Sequence, residues 1–188
     1  MKDQYFGDVN DFRKYGLLRY LNPGGRLRVG ICWMLTESDG KSDGKFLAYL
    51  DQPTAHRGRD PELFDWLRGV VRIEQDRRIA RIEATQLLGS ALFHSRILVD
   101  CINERNRYVA EYTARFAYCD LVFFDPDNGL QIKTTAFGRE NSFKFLFWDE
   151  LIRAFAAGSS VLVYQVTLTL GPPTDSDIRP SSRIDSSC

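Results

Sequence analysis

Leu121-Val122-Phe123-Phe124-Asp125-Pro126-Asp127-Asn128-Gly129 decides how this chain reads. The first four residues are apolar, carry no helical period and include two aromatic rings. That predicts a strand covered on both faces, as in a parallel sheet. Pro126 cannot donate to a strand ladder, so the strand stops, and Asp-Asn-Gly supplies a turn. Open α/β sheets bind ligands outside the carboxyl ends of their strands. Asp125, Asp127 and Asn128 bring two carboxylates and an amide to such an end and are candidate catalytic residues. Pro-Asp-Asn-Gly also reads simply as a good turn.

Working outward toward the carboxyl end, Leu130-Gln131-Ile132-Lys133 leads into a polar stretch. Lys144-Phe145-Leu146-Phe147 then enters a helix over residues 148–155, with Gly158 as its natural C′ residue. A further strand follows over 160–165. Strand, helix and strand in that order predict a βαβ unit with parallel strands. After Leu170 the apolar pattern stops and serine, aspartate and proline dominate. Residues 1–165 therefore read as one α/β domain, and 166–188 as a divergent tail expected to be disordered.

Toward the amino end, Asp8 is the expected N-cap of a helix over 8–21, with Asp11 in a capping-box-like position. Asn22-Pro23-Gly24-Gly25 is its stop signal. The polar first turn reads either as a solvated cap or as a group facing the sheet's carboxyl edge. In the second reading Lys14 is a candidate catalytic residue and Asp8 and Asp11 are candidate cofactor-binding residues. Residues 27–33 read as a strand. The loop after it holds Asp-Gly-Lys twice, and Asp39, Gly40 and Asp43 are candidates for a phosphate or nucleoside. That loop matches neither Walker A nor GxGxxG, and a plain surface loop is the other reading.

Between these segments, Asp60-Pro61 starts a helix with core residues Leu63, Phe64, Leu67, Val70 and Val71. A second helix is expected over 76–88 through Ile79, Ile82 and Leu87. A strand is expected over 91–98. A helix is expected over 101–116, with Val109, Tyr112, Thr113 and Phe116 inward. Seven arginines from Arg57 to Arg81 are matched by five acids, which reads as a salt-bridged surface.

Lys+Arg and Asp+Glu number 25 each. That balance lacks the basic surplus of a nucleic-acid-binding domain and leaves only a local patch open. Cys32, Cys101, Cys119 and Cys188 show no metal spacing, and two unlinked histidines, His56 and His94, argue against a zinc site. No signal peptide or long apolar run is seen, so a cytoplasmic chain with no membrane segment is expected. Asp125 and Asp127, with Glu150 from the following helix, could alternatively bind Mg²⁺, with Lys133 offsetting phosphate charge. That would make a nuclease or phosphodiesterase.

Tyr5 to Leu18, Gly30-Ile31-Cys32-Trp33, Asp60 to Asp65, Phe124 to Leu130, Lys144 to Leu151 and Val163-Tyr164-Gln165 together resemble an uncharacterised bacterial family. That family has a GDVxDxxKYGLLR start and a DPDNGLE centre. Gln131 stands where it carries Glu, and a truncated or frame-shifted end would explain the unrelated tail. More remotely, the order of elements is similar to ribosomal-RNA adenine-N6 methyltransferases of the DPPY type. Asn10-Asp11 to Lys14 and Asp125-Pro126 match their motif positions. The resemblance implies a three-layer, Rossmann-like α/β fold with a mostly parallel sheet. It further implies S-adenosylmethionine and a nucleotide or nucleic acid, with Asp125 accepting hydrogen bonds from the target amino group. Asn128 replaces the aromatic that stacks on the base, and no glycine-rich loop follows Trp33. The third reading is a non-catalytic module of a phage-defence or mobile-element system.

Overall fold

The computed structural model describes residues 1–38 and 46–165. Asp39, Gly40 and Asp43, and the tail 166–188, lie outside the described residues. The elements run α1 (Val9–Leu21), β1 (Val29–Cys32), α2 (Pro53–His56), α3 (Pro61–Arg68), α4 (Ala80–Glu83), β2 (Leu92–His94), α5 (Ile102–Arg115), β3 (Leu121–Phe124), β4 (Gly129–Leu130), β5 (Phe145–Leu146), α6 (Trp148–Ala156) and β6 (Ser160–Val163).

Four strands form a parallel sheet in the order β2-β1-β3-β6. Val29 lies beside Leu121, and Leu121 beside Ser160. β4 and β5 make a separate two-stranded parallel ladder. From β1 the chain moves outward to β2, then returns across β1 to β3 and continues to β6. The strand order therefore reverses between β1 and β3. In open α/β sheets this reversal opens a crevice at the carboxyl ends.

Strand side chains alternate between two cores because the strand period is two. Val29, Ile31, Leu121 and Phe123 join Phe12, Tyr15 and Leu18 of α1 and Leu63, Phe64 and Leu67 of α3. Cys32, Val122 and Phe124 join Tyr108, Val109 and Tyr112 of α5 and Ala154 of α6. The sheet is thus covered on both faces, as its unbroken apolar strands predict. Gly30 lets α5 approach, because a Cβ there would sit 2.7 Å from the Phe116 ring.

Local signals place several elements. Asp8 caps α1, accepting from the amides of Asn10 and Asp11. Asp60 caps α3 through the Leu63 amide, with Pro61 in the first turn. Gly158 takes φ of +95° just past α6, the left-handed conformation of a C′ glycine.

Tertiary demands change others. The helix expected over 76–88 shrinks to Ala80–Glu83. Ile79, Ile82, Leu87 and Leu88 are all buried, but a turn-rich path inserts them. The Thr85 hydroxyl donates back to the Ile82 carbonyl and Asp3 takes the Ile79 amide. Such local bonds compete with a continuous helix. The strand expected over 91–98 keeps only three residues, plus an isolated parallel bridge from Ile97 to Leu35. Thr113, expected inward, is exposed, and Arg105 takes a place inside instead.

Several of the surface arginines pair as expected, including Arg57 with Asp65, Arg72 with Asp51 and Arg81 with Glu74 and Asp76. Among the described residues no helix is long and apolar enough to cross a membrane.

Candidate functional site

The buried face of α1 carries Asp11, Phe12, Lys14, Tyr15 and Leu18. Helical spacing therefore puts a carboxylate and an ammonium on the side that packs inward. Gly7, at φ +77°, turns the chain into the helix, and its amide donates to Asp11 Oδ2 at 3.0 Å. Asp11 thus reaches one residue beyond a capping box. Tyr15 donates its hydroxyl to the same oxygen at 3.1 Å.

Lys14 crosses the layer to the carboxyl end of β3. Its Nζ lies 2.7 Å from Asp11 Oδ1 and 2.7 Å from Asp125 Oδ2. The Tyr164 ring, just after β6, packs against that ammonium at 4.7 Å. Asp11, Asp125 and Lys14 are exposed by 0%, 2% and 6%. Ion pairs this deep are costly to desolvate, so they are weak evidence for stability and better evidence for a special site.

A second ion pair lies beside the first. The amino group of Met1 is 2.5 Å from Asp127 Oδ1, and Thr36 donates to Asp127 Oδ2 at 2.9 Å. The same amine donates to the carbonyls of Met34 and Asp125. Met34 immediately follows Trp33 with φ +48°, a left-handed conformation that costs a bulky residue energy. Loops from β1 and β3 therefore meet over the reversal of strand order, through Thr36, Met34, Asp125 and Asp127.

Burial pushes the Asp125 carboxyl above its ordinary range. Lys14 and the amino terminus, which pull it down, offset only part of this. Asp11 is raised by burial, against the pull of Lys14, and the neighbouring Asp8 charge adds to the rise. For Lys14, burial favours the neutral amine, but the Asp11 and Asp125 charges outweigh it and hold the ammonium. Lys14 and the Met1 amine are the cations against Asp125 and Asp127, and the Arg77 guanidinium acts with Lys14 on Asp8 and Asp11.

A pH prediction follows from Asp8, whose carboxyl is raised by burial against the Asn10 and Asp11 amides and Lys14. A raised carboxyl favours the protonated folded state. Its stabilisation is present below the ordinary value of 3.8 and is lost as pH rises through the folded value. Asparagine caps a helix as well as aspartate does but carries no charge. Asp8→Asn should therefore match the parent near about pH 4 and exceed it near about pH 7.5. Thermal melting at both values checks this; a gain that shrinks as pH rises would contradict it.

The structure brings Lys14, Asp8, Asp11, Asp125 and Asp127 into one cluster. Asn128 is adjacent but exposed, with its backbone amide on the Lys144 carbonyl. Lys133 is exposed in the loop beyond β4. Glu150, expected as a metal ligand, is instead bound by both guanidinium arms of Arg105 at 2.6–2.7 Å and accepts the Phe147 amide. Its oxygens are spent on capping α6 and neutralising a buried arginine. Among the described residues, no group of three or more His, Cys, Asp or Glu side chains could hold a metal ion. Lys14 and the Met1 amine occupy the positions against Asp125 and Asp127 that a divalent cation would need.

Sequence reasoning missed the Met1 amine, Thr36, Tyr15 and Tyr164. Thr36 had a usable signal, since it lies in the loop after a strand next to β3. The amine had none. Searches of protein-family models, curated proteins and solved structures give no match to this chain.

Proposed function

We propose that the chain is a Rossmann-like, methyltransferase-like enzyme acting on a nucleotide or nucleic acid through the loop Asp125-Pro126-Asp127-Asn128. One observation carries the reading. A buried carboxylate–ammonium–carboxylate cluster stands at the carboxyl end of the central strand, where the strand order reverses. Asp125 is the acceptor for a substrate amino group, and Lys14 orients its carboxylate. Asn128, exposed beside them, is the first side chain that a substrate meets. S-adenosylmethionine is the donor that the methyltransferase likeness implies, and it would supply the methyl group. The cluster's other carboxylates, Asp8, Asp11 and Asp127, are committed to internal partners. None is free for a ribose diol, so no residue is assigned to that cofactor.

Thermal melting of the full chain with S-adenosylmethionine and with short RNA tests the reading. A ligand that binds only the folded state adds about 2.7 kcal/mol at a hundredfold excess over its Kd. That is several degrees for a chain of this size. The expected result is a shift that Asn128→Ala weakens and Asp125→Asn abolishes. Flat melting with every ligand overturns the proposal.

The closure of the cluster favours a second reading, a non-catalytic module in which these ion pairs only hold the loops. In that case Asp125→Ala lowers the Tm and changes no ligand response.

A further inference from the structure

Between α5 and α6, on the sheet face opposite α1, lies a cavity of about 270 Å³. Its wall is aromatic. Phe137, in the loop between β4 and β5, meets Phe147 edge to face, with centroids 5.2 Å apart. Arg105 stands against both rings, 5.7 Å from the Phe137 centroid and 4.9 Å from that of Phe147.

Three polar side chains around this wall are uncommitted. Asn106, Asp149 and Arg153 line the cavity, and none of the three makes a side-chain hydrogen bond or ion pair among the described residues. Asp149 and Arg153 are one helical turn apart, a spacing at which opposite charges normally meet. Gln131 donates its Nε2 weakly to the Thr135 carbonyl, at 3.4 Å, which leaves its Oε1 as an acceptor. Glu150 also lines the space but is spent on Arg105.

An aromatic wall with a few converging polar groups is the pattern of a small-molecule site. The volume lies just below the usual range of about 300–1,000 Å³, so it suits one ring system rather than a whole dinucleotide-sized cofactor. Three acceptors, on Asp149, Gln131 and Asn106, call for a ring edge that carries N–H donors. An amide side chain pairs with the donor–acceptor edge of adenine, and a carboxylate accepts from the amino group of cytosine. The cavity opens into a shallower groove that shares Asn106, Val109 and Arg153 and continues past Ala110, Ala114 and Ala157. That groove has room for a sugar, and Arg153 stands at the junction for its phosphate.

We propose that this cavity binds an amino-bearing nucleobase, adenine or cytosine, as part of a nucleoside or nucleotide. The choice of a nucleobase over other amino-bearing rings rests on the proposed nucleotide-directed function. The site itself is separate from the Asp125 cluster and is held by different residues.

Calorimetric titration of the full chain with adenosine, cytidine, inosine and uridine is the test. Adenosine or cytidine should saturate the site, with inosine and uridine at least about tenfold weaker. Asn106→Leu and Asp149→Ala should each weaken binding by about tenfold or more. Both positions are exposed, so an unchanged Tm shows that the variants fold. Asp125→Asn should leave this binding intact, whatever becomes of the response to RNA or S-adenosylmethionine. That separates failure of this site from failure of the proposed function. Absence of saturable binding at millimolar nucleoside overturns the inference. So does equal binding of all four nucleosides, or loss of binding in Asp125→Asn with the cavity variants unaffected.

Discussion

Lys14→Met lowers the stability of this chain by about 3–5 kcal/mol, the usual cost of removing one partner from a buried ion pair. For a chain of this size that is a fall of roughly 6–20 °C in Tm. Methionine keeps the length and apolar volume of the lysine stem, so lost packing contributes little. The remaining cost is electrostatic. Asp11 and Asp125 keep their burial but lose the ammonium 2.7 Å from each. Both carboxyls are already raised by burial, and without Lys14 they rise further. The protonated folded state is then favoured, so the deficit is small near about pH 4 and grows as pH increases. Adding Asp125→Asn to Lys14→Met removes one orphaned charge and recovers part of the loss, since contacting sites couple. Denaturant unfolding of the parent, both single variants and the double variant at two pH values measures each term. A loss below about 1 kcal/mol, equal at both pH values, would show that the pair behaves like an exposed one.

Arg105→Met is the second large effect, again about 3–5 kcal/mol. Arg105 is fully buried and binds Glu150 with Nε and Nη2 at 2.7 and 2.6 Å. Its remaining donors take the Ser142 carbonyl at 3.0 Å and the Phe145 carbonyl at 2.8 Å. One side chain therefore ties α5, the start of α6 and the chain entering β5. Its removal leaves a buried carboxylate and two buried carbonyls unmatched. Arg105→Lys should recover little, because an ammonium cannot reproduce the two-armed fork. Arg105→Met combined with Glu150→Leu should recover more than half, because an apolar pair of similar volume pays no desolvation cost. Hydrogen exchange provides a local reading, with amides of residues 141–150 losing protection first in Arg105→Met. If the double variant is no more stable than the single one, the cost lies in the two carbonyls rather than in Glu150.

These two residues mark the limit of what the sequence shows. Leu121 to Phe124 was legible as a covered parallel strand because burial on both faces removes the polar alternation that other strands show. The caps at Asp8 and Asp60 and the inward face of α3 were legible for a similar reason. Backbone hydrogen bonding repeats every few residues and leaves its mark within that distance. The strand-then-acid pattern also located the candidate site, since it depends on one strand end alone.

The partners of that site were a matter of tertiary structure. Lys14 and Asp125 are 111 residues apart in the chain, and Arg105 and Glu150 are 45 apart. On α1 and α5, both cations share a helix face with apolar residues, and nothing local names Asp125 or Glu150 as their partners. Only the packing of α1 across the strand reversal, and of α5 against α6, removes them from water. Glu150 shows the consequence most clearly. Next to an acidic loop it reads as a metal ligand, but once α5 packs beside α6 the nearest uncompensated charge is Arg105. The low polarity of the interior then makes that pairing the dominant interaction.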